Sequence, residues 1–329
     1  MRHQIAIRRA LLAWYRRSAR ALPWRATRDP YRIWVSEIML QQTRAAAVVP
    51  YYRRFLRAFP NVRRLAEASE QELLRVWAGL GYYQRARNMH RAAQRIVELG
   101  RFPSEYVSIR ALPGVGEYTA AAVASIAFDL PYAVLDGNVA RVLARLLAEN
   151  TDVRSGTGKA RLRRAAELLL DRKHPGDFNQ ALMELGATVC LPRNPRCGDC
   201  PLAAWCRACR MGVVSQIPAK RRREGPQASE RTLLLIERNG SLLLKRRPPV
   251  GQLQGFFELP EPADLPNARL GPELGRFHHS ITNRRYLITV RSARGAPPEG
   301  PFLWAPECDL PELPLTTATR KALALRSKR

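Results

Sequence analysis

Cys190-Leu-Pro-Arg-Asn-Pro-Arg-Cys197-Gly-Asp-Cys200-Pro-Leu-Ala-Ala-Trp-Cys206 gathers four cysteines in one short stretch, spaced C-x6-C-x2-C-x5-C. Thiols this close either hold a metal or form disulfides. The chain is 329 residues long and four of its six cysteines crowd into this one segment, unlike a small secreted disulfide scaffold. The pattern therefore favours a metal and a reducing compartment. Four thiolates suit an iron–sulfur cluster or zinc. Cys197-x2-Cys200 with Cys206-x2-Cys209 could make a zinc site, whereas C-x6-C-x2-C-x5-C enlists Cys190 and leaves Cys209 spare.

The charge balance narrows the partner. Lys and Arg number 55 against 28 Asp and Glu, a net +27, while the hydrophobic fraction of 46% is that of an ordinary globular protein. A field of this sign attracts a polyanion, and nucleic acid is the leading candidate. The N-terminal stretch MRHQIAIRRALLAWYRR is basic and amphipathic but lacks a continuous apolar core and a small-residue cleavage site. It reads as a structural helix. No apolar run is long enough to cross a membrane. The expectation is a soluble, cytoplasmic, nucleoid-associated protein that is not secreted.

Residues 1–215 read as helix after helix. Asp29-Pro30 opens one, because Asp caps and Pro fits the first helical position. Ser69 and Glu72 form a capping box ahead of Leu73, Leu74 and Trp77. Ser104 is placed to cap another short helix. Ala120–Phe128 and Val139–Leu147 are buried segments, with Asp136 and Asn138 at the mouth of the second. Residues 216–229, rich in Pro, Gly and charge, mark a linker. From 230 to 329 the pattern is α+β. Two β-like runs, Thr232–Arg238 and Ser241–Arg247, flank Asn239-Gly240, the strongest short hairpin signal. Tyr286–Val290 is another strand, and a terminal helix starts near Thr316.

Three further motifs bear on chemistry. Leu112-Pro113-Gly114-Val115-Gly116 turns tightly between helices and brings bare amide groups to a helix N-terminus, where they can hold a DNA phosphate. An ordinary helix–helix turn would use the same residues. Asp136 ahead of Gly137-Asn138 is, by itself, a helix cap. Glu37 sits among Trp34, Val35, Ile38, Met39 and Leu40. Burial there would raise its pKa and make it a proton donor near neutral pH; a solvated helix face is the alternative.

Together these features resemble the endonuclease III superfamily of DNA glycosylases, and most closely its adenine-specific branch, the MutY family. Matching stretches run in order: LPWR at Leu22–Arg25, SEIMLQQT at Ser36–Thr43, GLGYYQRARN at Gly79–Asn88, LPGVGEYTA at Leu112–Ala120, LDGNVARVLAR at Leu135–Arg145, and the cysteine spacing. The resemblance implies a mainly α glycosylase domain with a helix-hairpin-helix at about 105–125. It implies a 4Fe-4S cluster held by Cys190, Cys197, Cys200 and Cys206, in a loop whose Arg193 and Arg196 could reach phosphates. It also implies roles for side chains: Glu37 as general acid, Asp136 as the group that stabilises the sugar cation, Tyr118 and Asn138 as their positioners. Arg25, Gln41, Gln42, Thr43, Tyr82, Leu112, Gly114 and Gly116 would meet DNA, with Gln42 and Tyr82 as wedges filling the gap left by a flipped base. Strand-cutting relatives place a lysine where this chain has Tyr118; a phenol forms no Schiff base, so a monofunctional enzyme is expected.

The C-terminal part resembles the Nudix-like domain of that family, which reads 8-oxoguanine. Gly255–Pro260 looks like its G-x-W-E-F-P segment. Phe277–Tyr286 looks like its H-x-F-S-H loop: His279 matches, Ile281 replaces Phe, Thr282 replaces Ser and Asn283 replaces the second His. The acidic motif of Nudix hydrolases is absent, so no pyrophosphatase activity is expected. The expected partner is double-stranded DNA carrying an A:8-oxoguanine or A:G mispair, met by a monomer. Two alternatives stand: a bifunctional pyrimidine glycosylase, and a metal-stabilised DNA-binding protein without catalysis.

Overall fold

The computed structural model describes residues 3–153, 155–219, 227–248, 253, 255–281 and 284–326. The chain divides into two compact units. One comprises Met1–Ala68 and Arg87–Arg222; the other comprises Ser69–Ala86 and Arg223–Arg329.

The first unit is helical. In chain order the helices of the N-terminal two-thirds are α1 (Gln4–Ser18), α2 (Pro30–Leu40), α3 (Ala45–Ala58), α4 (Val62–Ala66), α5 (Glu70–Trp77), α6 (Gln84–Glu98), α7 (Tyr106–Arg110), α8 (Glu117–Phe128), α9 (Gly137–Leu147), α10 (Gly156–Leu169), α11 (Pro175–Thr188) and α12 (Arg207–Arg210). Of these, α5 belongs to the second unit. The N-terminal segment is the structural helix expected, burying Ile7, Leu11, Leu12, Trp14 and Tyr15. Asp29 caps α2 by accepting from the amides of Tyr31 and Arg32. Such a cap is worth about 1 kcal/mol. Ser69 caps α5 through the amide of Glu72. The expected Ser104 cap does not form: α7 begins at Tyr106, Glu105 holds the cap position, and no side chain caps it. No described helix is long and apolar enough to cross a membrane.

The second unit carries two small sheets and a terminal helix, α13 (Thr317–Arg326). Its strands are β1 (Gln227–Leu235), β2 (Glu237–Arg238), β3 (Ser241–Arg246), β4 (Phe257–Glu258), β5 (Arg269–Ile281), β6 (Arg284–Arg294) and β7 (Phe302–Pro306). One sheet has the order β1-β6-β5, with β1 parallel and β5 antiparallel to β6. In the other, β3 is the hub, pairing with β2, β4 and β7. The hairpin expected at Asn239-Gly240 joins β2 to β3, both turn residues having positive φ. Alternate residues point to opposite faces of a strand. Thus Leu233, Leu235, Leu242 and Leu244 enter one core, while Leu234, Ile236 and Leu243 enter another. Two buried faces explain the unbroken apolar runs.

Ser69–Ala86 lies mid-chain in the helical region yet clusters with the second unit. The ring of Tyr83 meets that of Phe256 at 4.1 Å, and Arg75 pairs with Glu312 at 2.8 Å. Phe257, the next residue, turns its ring into the larger sheet core instead.

Candidate active site

Glu37 lies near the end of α2, a helix whose residues Tyr31 and Ile33–Met39 are all buried. It is 3% exposed, so the solvated-face alternative is excluded. Tyr118, in the first turn of α8, donates from Oη to Glu37 Oε2 at 2.8 Å and lies 3.1 Å from Met183 Sδ. Burial pushes the Glu37 carboxyl up to about 7; the Tyr118 hydrogen bond opposes the rise, the charge of Asp136 adds to it, and Arg25 opposes it. Burial, with the charges of Glu37 and Asp136, also holds the Tyr118 phenol well above its usual range. Tyr118 therefore stays protonated and serves as a donor.

Asp136 is the N-cap of α9. Its Oδ1 accepts from the Val139 amide at 2.7 Å and its Oδ2 from Asn138 Nδ2 at 2.9 Å. Burial raises its pKa, against the hydrogen bonds from Val139 and Asn138 and the charge of Arg141. Asn138 is held in turn. Arg141 Nη2 donates to Asn138 Oδ1 at 2.8 Å and to the Gly186 carbonyl at 2.7 Å, while Arg141 Nε donates to the Cys190 carbonyl at 2.8 Å. The approach of α11 needs glycine at 186, where a Cβ would stand 2.6 Å from Asn138 Cβ. A buried carboxyl from α2 and a half-buried one at the head of α9 thus share one electrostatic neighbourhood, the first of them poised near neutrality.

A third carboxylate was not foreseen. Glu184, on α11, accepts from Arg20 and Arg25 at 2.7 Å each. Burial would raise its pKa, but the two guanidiniums hold it down to about 2. Its signal was the one that marked Glu37: an acid among apolar residues, here Leu182 and Leu185. Glu184→Gln is expected to lower stability by ~2 kcal/mol at pH 7, allowing for the exposure of Arg20, in a urea titration. Because the folded pKa lies below the unfolded one, this contribution is complete above about 4.5 and fades as pH falls towards 2.

The candidate DNA contacts divide. Gln42 and Tyr82, the residues expected as wedges, both have positive φ, at 59° and 50°. Both are exposed, Tyr82 by 49%. A non-glycine residue held in that region is uncommon and marks functional sites more often than chance. Arg85 supports Tyr82, its guanidinium 5.4 Å from the ring centre. Gln41 Nε2 donates to Thr119 Oγ1 at 3.3 Å, and Thr43 Oγ1 donates to the Gln41 carbonyl at 3.4 Å. Arg25 turns inward to Glu184. Leu112 is 4% exposed, and its amide and carbonyl are taken by Ile109 and Val115, so it shapes the hairpin from within. Gly114 has φ 76° and a Cβ there would stand 2.6 Å from Asn88 Cβ, so the turn requires glycine. Gly116 caps α8 from an exposed position. Thr282 and Asn283 lie outside the described residues. His279, on β5 opposite Tyr286, has its pKa lowered by burial and by Lys321 and Arg231.

Cys190, Cys197, Cys200 and Cys206 line a single cavity together with Cys209. Among the described residues no three such side chains converge as ligands of one ion would. Thiols gathered around one cavity suit a cofactor held by thiolate ligands. Arg145 strengthens the fit. It is 2% exposed, and its described partners are the carbonyls of Ile217, Leu191 and Pro192 and the Sγ of Cys190 at 3.3 Å. A buried guanidinium needs compensating negative charge, which thiolate ligands supply.

Residues 35–169 match the family described as HhH-GPD superfamily base excision DNA repair protein, residues 190–206 the iron-sulfur binding domain of endonuclease III, and residues 231–325 the NUDIX domain. The adenine DNA glycosylase of Buchnera aphidicola subsp. Baizongia pistaciae is 37% identical over 76% of this chain and 72% of its own length. The chain belongs to the adenine DNA glycosylase family. Family members in Rattus norvegicus and Homo sapiens are 39% and 38% identical over 78% and 80% of the chain, which spans only 60% and 59% of their length. A thermostable thymine-DNA glycosylase shares the fold at 30% identity and TM-score 0.59, over 64% of this chain and 98% of that one. An endonuclease III–DNA complex, 22% identical with TM-score 0.54, shares the fold alone over the same proportions. Glu37, Tyr118, Asp136 and Asn138 all fall within the base-excision match, and Cys190, Cys197, Cys200 and Cys206 lie at the ends and in the interior of the iron–sulfur match.

Proposed function

We propose that this protein is a monofunctional adenine DNA glycosylase. It flips adenine paired with 8-oxoguanine or guanine out of duplex DNA and hydrolyses its N-glycosidic bond. The observation that carries the reading is the buried Glu37 carboxyl, hydrogen-bonded by Tyr118, raised to about 7 and facing the charge of Asp136. Hydrolysis needs a proton on the departing base and negative charge beside the cation-like sugar. Protonated Glu37 supplies the first and Asp136 the second. As Glu37 loses its proton to the base it becomes the base that activates water. Tyr118 and Asn138 hold the two carboxyls in place. Lys159 reaches Glu117, next to Tyr118, but shares that part-exposed carboxylate with Arg110 and Arg163. The Lys159 amine is thereby engaged at Glu117.

A 4Fe-4S cluster on Cys190, Cys197, Cys200 and Cys206 would brace the loop whose Cys190 carbonyl anchors Arg141. The groups that act on one nucleotide come from one chain, so a monomer suffices, working on nucleoid DNA in the cytoplasm. The family names of the relatives and the net charge of +27 support the base and the partner.

The test is a single-turnover assay on a duplex with adenine opposite 8-oxoguanine, split afterwards with alkali. Strand product that appears only after alkali supports the proposal. Product without alkali, or a borohydride-trapped adduct, would make the enzyme a lyase. No product at all would leave a DNA-binding protein.

The C-terminal unit is assigned the reading of the opposite base, through His279, Thr282 and Asn283. Removing the tail is a poor test, because Tyr83 would lose Phe256 and Arg75 would lose Glu312. Instead, Thr282→Ala/Asn283→Ala in the full chain is expected to cut the preference for 8-oxoguanine over guanine by roughly tenfold, two hydrogen bonds being lost. Unchanged preference would remove both residues from the readout.

A further inference from the structure

We propose that Cys209 is a reserve ligand for the iron–sulfur cluster, able to take the coordination position of Cys197. The inference rests on the iron–sulfur match and on the cavity, and does not depend on the glycosylase reading.

Cys209 falls outside the matched stretch, which ends at Cys206. It nevertheless lines the same cavity as the four assigned ligands. It sits on α12, one helical turn beyond Cys206, whose sulfur accepts from the Cys209 amide. Its thiol lies near that of Cys197 on the cavity wall. The remaining ligands have other company: Cys190 takes its hydrogen bond from Arg145, and Cys200 from the Leu202 amide. Cys209 is therefore not an isolated thiol but a fifth sulfur at a four-sulfur site, with Cys197 as its neighbour among the ligands.

Exchange needs no oxidant or reductant. The iron bond to the Cys197 sulfur breaks and one to the Cys209 sulfur forms. The Cys209 thiol gives up its proton, the freed Cys197 thiolate takes one up, and the oxidation state of the iron is untouched. Alanine at 197 makes the exchange permanent.

The full chain is purified anaerobically as parent, Cys197→Ala, Cys209→Ala, the double variant and Cys190→Ala. Iron, acid-labile sulfide and visible absorption are measured, and free thiols are alkylated under native conditions and mapped. Exposed Cys308 serves as the internal standard. Cys197→Ala is expected to keep at least about half of the parental iron, because four thiolates remain. Cys209, alkylated in the parent, becomes protected in that variant. The double variant and Cys190→Ala lose iron and colour. A folded Cys197→Ala protein that is colourless, or whose Cys209 is alkylated as fast as in the parent, overturns the proposal. So does loss of the cluster from Cys209→Ala alone, which would make Cys209 a structural requirement. If Cys197→Ala does not fold, the parent and Cys209→Ala are compared under chelator. Iron should leave Cys209→Ala about tenfold faster, and equal rates refute the reserve role.

Discussion

Glu37→Gln is expected to slow single-turnover adenine excision by roughly a thousandfold or more while leaving duplex affinity almost unchanged. Gln keeps the size of the side chain and an oxygen to accept from Tyr118, but it has no proton to give. In the parent the carboxyl titrates at about 7. The acid form is needed, so the rate should hold below that value and fall about tenfold per unit above it. The same burial has a stability consequence of opposite sign. A carboxyl raised on folding costs nothing below its unfolded pKa, near 4.5, and its cost grows as pH climbs to about 7 and then stays constant. At pH 8 the inactive Glu37→Gln variant should therefore be more stable than the parent, by on the order of 2 kcal/mol in a urea titration. A variant that is both slower and less stable would identify Glu37 as a structural residue. One that turns over near the parental rate would remove it as the acid.

Much of the fold was legible along the chain because its elements announce themselves locally. Asp29-Pro30 and Ser69 cap the helices they were expected to cap, and Asn239-Gly240 makes its hairpin, since each depends on neighbours within a few residues. The burial of Glu37 was one of two readings that its apolar neighbours allowed, and Glu184 could have been read the same way. Less was visible where contacts are distant. Strand β5 contains Pro272 and glycines at 271 and 275, and its register shifts at Glu273, so no clean alternation survived to mark it. Strand β7 is a short segment made by pairing with β3. The clustering of Ser69–Ala86 with the C-terminal unit depends on Tyr83 meeting a ring 173 positions further on, which no window of sequence reports. Arg141 illustrates the limit most plainly. Its spacing says only that it lies one turn from Asn138; that it also grips the carbonyls of Gly186 and Cys190 is a property of the fold.

Asp136→Asn should separate the two roles that this residue combines. Asp and Asn are equally good helix caps. If capping α9 were the whole function of Asp136, the substitution would be nearly silent, and alanine would be the damaging change. The geometry argues otherwise. One carboxylate oxygen accepts from Val139 and the other from Asn138. Asparagine offers a single acceptor, so keeping the cap turns its NH2 against that of Asn138. Asn138 has no freedom to flip, because Arg141 donates to its oxygen. One donor is left unmatched, at about 1 kcal/mol. The larger loss is electrostatic. A neutral side chain cannot stabilise the developing positive charge on the sugar, and removing one such preorganised interaction from a buried site slows reactions about a hundred- to a thousandfold. The expectation is thus a folded protein with slightly lowered stability, ordinary affinity for duplex DNA and an excision rate about three orders of magnitude down. The loss of Asp136's charge should also lower the pKa of Glu37, since that charge helps to raise it. The residual activity would then begin to fall at a lower pH than in the parent, a displacement that a mere cap could not produce.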